Sequence, residues 1–354
     1  MTRVLTLLAA SVAALSLAAC GNGRGEGAGG ARTGIWAAGS STVFPFATRA
    51  AENFNRTNGG SAPRVESLGT GGGIKAFCSG IGPTTPDIAN ASRPMKASEY
   101  ADCQANGVTQ IMELQIGYDG IVIATARTGE SFNLRLQDLY LALAKDTPSG
   151  SGFAANPATS WNQVNPALPN QHIQVYGPPP TSGTRDAFLE LGMAPGAELI
   201  PALKALKDSD KDRFEAIAHT LREDNAWIDS GENDNAIVQT LARTPGSLGV
   251  FGYSFLEQNL DTVKAETIDG VAPNAETIGR GSYPLARSLY IYVKVQHIGV
   301  TPGLEQFLNE FLSDAAAGRG GYLAERGLIP LSAEQLAAQR AIVAARTPMA
   351  APTH

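Results

Sequence analysis

Histidine and cysteine are scarce in this chain: four histidines and three cysteines among 354 residues. His172, His219, His297 and His354 stand singly, without the close spacing of metal ligands, and read as surface or packing residues. Too few cysteines are present for a structural zinc site unless histidines join them, so no metal is expected. No long basic run occurs and the formal net charge is -6, which argues against nucleic acid as a partner while leaving small anions open. GTGGGIK lacks the Gly-Lys-Ser/Thr ending of a P-loop, and no GxGxxG stands with a suitable acidic partner. Neither a GxSxG elbow nor a nucleophile with an activating base is visible. The chain therefore reads as a protein that is not an enzyme and carries no cofactor.

What the chain does contain is apolar material enough for a sizeable core, 43% of its residues, over a length that suggests roughly two domains. Residues 1–19 carry Arg3 and an apolar run from Val4 to Leu17, too short to span a bilayer and closed by small residues. This reads as a cleaved signal peptide. Leu17-Ala18-Ala19-Cys20 resembles the lipobox of bacterial lipoproteins, which implies lipidation at Cys20 and anchoring to a membrane. Residues 20–34 are glycine-rich and form a flexible tether. Export to an oxidising compartment leaves Cys78 and Cys103 as an even pair, expected to form a disulfide.

Short apolar runs alternate with amphipathic stretches, so the fold class is α/β. Strands are expected at 35–38, 64–68, 87–91, 113–126, 173–175, 248–253 and 288–293. Helices are expected at 43–55, 74–78, 136–144, 184–191, 204–222, 235–243, 304–312 and 316–325, with a loose tail from Thr347. Gly117 and Gly120 inside the long strand suggest bends or close backbone approach, marking a crossing between domains.

Hydroxyl groups and glycines gather at three helix starts: GSSTVFPF at 39–46, GTGGGIKAF at 69–77 and TSGTRDAF at 181–188. Each alone is a capping signature. Together, each just after a strand, they can converge on one anion site, because a helix start offers unpaired N–H groups and positive potential. NASRP at 90–94 adds Ser92 and Arg93 at the end of another strand.

These segments, with PDIANASRP, IGYDGIVIA, YGPPPTSGTRDAF, GVFGYSF and YPLARSLYIYV in order over about residues 33–330, closely resemble the PstS-like phosphate-binding proteins of ABC transporters. The resemblance implies a two-lobed periplasmic-binding-protein fold of type II, its ligand cleft between lobes joined by two hinge crossovers. Lobe 1 would be 35–118 plus 287–346, and lobe 2 119–286. It further implies an extracytoplasmic, lipid-anchored monomer of the periplasm or cell envelope that binds inorganic phosphate and delivers it to permease subunits. A phosphate-ester hydrolase using the same anion site, or a phosphate sensor or surface protein, are the alternatives.

Carried over by residue, Ser41, Thr42 and the N–H of Val43 would hold phosphate from the first lobe, with Thr70 and Gly71. Ser182, Gly183 and Thr184 would do so from the second. Some members carry an aspartate where Ser92 stands and an arginine where Pro178 stands. Here Arg93 and Arg185 are expected to supply the positive charge, and Asp119 is a candidate acceptor for a ligand proton.

Overall fold

A computed structural model describes residues 34–59, 62–150, 152–231 and 233–353. The expected signal peptide, Cys20, most of the tether and His354 lie outside the described residues. The chain builds a nine-stranded sheet from β1 (Trp36–Gly39), β2 (Arg64–Ser67), β3 (Ile88–Ala91), β4 (Ile111–Ala126), β5 (Val175–Gly177), β6 (Trp227–Asp229), β7 (Leu248–Gly252), β8 (Val263–Ala265) and β9 (Ala286–Lys294). The order is β2-β1-β3-β9-β4-β7-β5-β6, with β8 also on β4.

One strand links the two halves of this sheet. Residues 111–120 of β4 pair antiparallel with β9, which in turn pairs β3, and β3 and β2 flank β1 in parallel. Residues 121–126 of the same strand pair with β7 and β8, and β7, β5 and β6 are mutually parallel. Parallel strands need crossover connections, and the helices between them supply these. Gly117 and Gly120 sit where the connection through Leu328 and Ile329 crosses β4. A Cβ at Gly117 would lie 2.7 Å from the Ile329 carbonyl oxygen, and one at Gly120 2.9 Å from Ile329 Cδ1. The close approach expected at these glycines is present.

The helices that matter for the junction are α1 (Phe44–Asn58), α2 (Gly69–Phe77), α3 (Ala97–Ala105) and α4 (Gly183–Phe188), followed later by α5 (Leu304–Phe311) and α6 (Ala333–Ala345). Phe46, Ala50 and Phe54 form the buried stripe of α1, and Phe54 meets Phe307 of α5 edge to face with ring centroids 5.5 Å apart. Such i, i+4, i+8 spacing puts all three on one face. α2 begins at Gly69, five residues earlier than its apolar residues suggest, because its glycines serve packing. A Cβ at Gly73 would lie 2.2 Å from the Gly39 Cα, so only glycine lets α2 lie against β1. The expected disulfide joins Cys78, just after α2, to Cys103 of α3.

Three expectations need correction. The helix read over 204–222 divides into Pro201–Ser209 and Lys211–Ala218, where Asp210 leaves helical geometry and its side chain caps the second piece by accepting from the Arg213 N–H at 3.1 Å. The helix read over 316–325 is broken by Gly318, Gly320 and Gly321, leaving helical turns at Asp314–Ala317 and Ala324–Arg326. The tail is tied down: the Met349 N–H donates to the Ile111 carbonyl at 2.7 Å, and its side chain packs on the cluster of Phe77, Cys78 and Cys103.

Candidate oxyanion site at the junction of the two sheet halves

The GSST segment does not cap α1 in the usual way. Ser40 is buried; its N–H donates to the Asn90 carbonyl at 2.9 Å and its Oγ accepts from the Val43 N–H at 3.3 Å. That bond engages the Val43 N–H, which was expected to face the ligand, and leaves the Ser41 and Thr42 hydroxyls to bond elsewhere. Ser41 Oγ donates to Asp186 Oδ2 at 3.2 Å, and Thr42 Oγ1 accepts from Arg287 Nη2 at 2.7 Å. Both contacts reach elements far away in sequence, so the loop is a meeting point.

Thr70 and Ser92 are brought together beside it. Their hydroxyl oxygens lie 3.0 Å apart, and the Ser92 N–H donates to Thr70 Oγ1 at 3.2 Å. Thr70 and Gly71 occupy the first turn of α2, where backbone N–H groups have no intrahelical acceptor. Arg93 turns to its own neighbourhood. Its two terminal nitrogens donate to Glu99 of α3 at 2.9 and 2.7 Å, and Nη1 also reaches the Pro94 carbonyl.

From the other half, Ser182 caps α4 by accepting from the Thr184 N–H at 3.2 Å. A Cβ on Gly183 would stand 3.4 Å from the Ser41 carbonyl oxygen and from the Thr42 Cα, so the two hydroxyl loops touch at this glycine. Arg185 also looks away. It donates to Asp229 of β6 and to the Pro178 carbonyl, with its guanidinium 5.2 Å from the centre of the Trp227 ring. The proline run thus supplies Arg185 with an acceptor.

The cation at the junction is one that the sequence reading did not single out. Arg287 is the second residue of β9 and lies opposite Asp119 of β4 in register. Besides Thr42, it holds Glu190, and its Nε lies 3.5 Å from Asp119 Oδ2. Its side chain is only 11% exposed and that of Asp119 14%. Neither Arg287 Nε nor Asp119 Oδ2 has a hydrogen-bond partner among the described residues. Burial pushes the Asp119 carboxyl above the usual carboxylate range, and Glu190 adds to this against the opposing pull of Arg287. Burial raises Asp186 too, again helped by Glu190 and opposed by the Ser41 hydrogen bond, Arg287 and Arg185.

The structure therefore gathers Ser41, Thr42, Thr70, Gly71, Ser92, Asp119, Ser182, Gly183 and Thr184 around or next to the junction. Arg93 and Arg185 lie nearby with their guanidinium groups engaged. The chemistry on offer is hydroxyl and amide donation around one guanidinium, with carboxylates able to accept. Among the described residues, no group of His, Cys, Asp and Glu is placed to hold a metal ion, and no helix is long and apolar enough to cross a membrane.

Comparison with known proteins gives a consistent picture. The model of the PBP superfamily domain matches residues 25–315. The chain is 31% identical over 306 residues to Protein SphX of Synechococcus elongatus, covering 85% of this chain and 78% of that protein. It is 30% identical over 307 residues to the Phosphate-binding protein PstS of Staphylococcus saprophyticus, covering 85% and 83%. Among solved structures, a possible phosphate binding protein from Planctomyces limnophilus superposes with a TM-score of 0.69 at 26% identity, over 88% of this chain and 98% of that one.

Proposed function

This chain belongs to the PBP superfamily and, within it, to the PstS-like phosphate-binding proteins, and from that premise we propose that its junction site binds inorganic phosphate for import by an ABC transporter. The observation that carries the assignment to this site is Arg287, buried beside Asp119, bonded to Thr42 of the first hydroxyl loop and to Glu190 on the turn that follows the second, with an Nε–H that has no hydrogen-bond partner among the described residues. In this reading lobe 1 comprises 35–118 and 287–346, lobe 2 comprises 119–286, and β4 and β9 form the hinge crossings. Ser41, Thr42 and Thr70 bind from lobe 1, Ser182, Gly183 and Thr184 from lobe 2, and Arg287 from the crossing between them. The mature protein is an envelope monomer held to the membrane through Cys20, and it acts by closure around the anion without making or breaking a bond.

Magnitudes support this. Hydrogen bonds to a charged partner contribute about 1.5–3 kcal/mol each, and micromolar affinity requires about 8 kcal/mol. A handful of such contacts suffices without a metal. Asp119 is the selectivity candidate: burial and Glu190 favour its neutral form and Arg287 its ionised form, and only when ionised does it accept without donating, which favours hydrogen phosphate, with an O–H to give, over sulfate, which has none. Calorimetry with phosphate and sulfate tests the reading. Phosphate should bind at micromolar concentration or below and sulfate at least ~100-fold more weakly; no heat with phosphate, or equal affinity for both, contradicts it.

A further inference from the structure

Glu190 is a junction group whose contact with Arg287 the binding reading does not explain. It lies on the π-helical turn Leu189–Met193 that continues α4, and its carboxylate takes Arg287 from the second half of the sheet. Single π turns inside helices often mark functional positions. Its side chain is 53% exposed, unlike that of Arg287, so it can leave the guanidinium for water at little cost. Its charge also acts on Asp119, Asp186 and Arg93. Two carboxylates, Asp119 and Glu190, thus flank one guanidinium, and a third, Asp186, is held by the neighbouring Ser41, so acidic groups crowd the place where an anion is to bind.

We propose that Glu190 is a stand-in anion of the site: its carboxylate occupies Arg287 until an incoming oxyanion displaces it, so that the affinity for phosphate is set by the exchange. The inference rests on the junction being the phosphate site. Carboxylate and phosphate recognise the guanidinium fork through the same charge-assisted bonds, so the two compete for the same N–H groups. Because the outgoing carboxylate becomes hydrated, the exchange moderates affinity without abolishing it. The contact also spans the two halves of the sheet, which lets the protein's own carboxylate substitute for the ligand in holding them together.

The test is calorimetric titration of the mature chain with inorganic phosphate, comparing wild type, Glu190→Gln and Glu190→Asp. Both variants should bind phosphate about three- to tenfold more tightly, the glutamine by losing the charge and the aspartate by failing to reach Arg287. If only the glutamine tightens binding, Glu190 acts through its field and not by holding Arg287, which overturns the proposal. If affinity is unchanged or weaker in both, Glu190 is no competitor and the proposal is again overturned. Absence of phosphate binding by the wild type overturns the proposed function itself, and the exchange with it.

Discussion

Two charge clusters in this protein are built from the same kinds of group and finished differently. Asp87, at the start of β3, is wholly buried; its carboxylate accepts from the Trp36 N–H at 2.8 Å and the Thr301 hydroxyl at 2.6 Å, and lies 2.9 Å from His297 Nδ1. Lys294 beside it, equally buried, donates to the Gly80 carbonyl at 2.6 Å and Thr85 Oγ1 at 2.8 Å, over the face of Phe77. At the junction, Asp119 and Arg287 face each other with an oxygen and an N–H left unmatched. A buried charge is tolerated when its lone pairs and protons are all met, and a gap in that pairing costs stability. The closed network ties β3 and the end of β9 to the loops around them; the open one leaves bonding capacity unused, as the proposed phosphate site requires.

Glu266 falls between these extremes. It is buried, its Oε2 accepts from the Phe132 N–H at 2.6 Å, and its Oε1 has no partner among the described residues. Burial pushes it up to about 7, against the opposing Phe132 N–H and Lys264.

Replacing groups along this series should separate fold from function. The largest effect is expected for Asp87→Ala, which leaves the Trp36 N–H, the Thr301 hydroxyl and His297 without their carboxylate and should destabilise the protein by about 3–5 kcal/mol. Denaturant titration measures that loss; phosphate affinity of the folded variant should stay at the wild-type value, and a binding defect would break the distinction. Glu266 gives a smaller, pH-dependent effect. Between the ordinary carboxylate value and about 7 the folded form keeps the proton and the unfolded form has lost it. The unfolded state thus binds fewer protons there, and stability falls as pH rises through that window, by about 2 kcal/mol with solvent screening. Glu266→Gln should flatten the profile in thermal melts, and an unchanged slope would assign the effect elsewhere.

Much of the site was legible because its donors are local. GSST, GTGGG and TSGT each advertise a chain reversal before a helix, and strand patterns place all three at strand ends. The cation proposed for the site was not legible for the opposite reason. Arg93 and Arg185 stand beside hydroxyl loops in sequence, yet Glu99, six residues on, and Asp229, from a strand far along the chain, claim their guanidinium groups. Arg287 stands inside a strand with no local signature. Its place depends on the register of β9 against β4, which sets it opposite Asp119, and on a loop nearly 250 residues earlier that brings Thr42 to it. Register and long-range pairing are tertiary properties, and a pattern of neighbours cannot encode them. Gly73 makes the same point: in sequence it looks like an open anion-binding loop, and only the 2.2 Å at which a Cβ there would meet the Gly39 Cα shows that it is there for packing.

The central claim is that Arg287, and not the arginines beside the loops, carries the anion's charge. Phosphate calorimetry of Arg287→Ala against wild type tests it most directly. The account predicts at least a ~100-fold loss of affinity, the scale of one charged hydrogen-bonding partner removed from a buried site, in a variant that still unfolds cooperatively in thermal melts. Wild-type affinity in Arg287→Ala would contradict it.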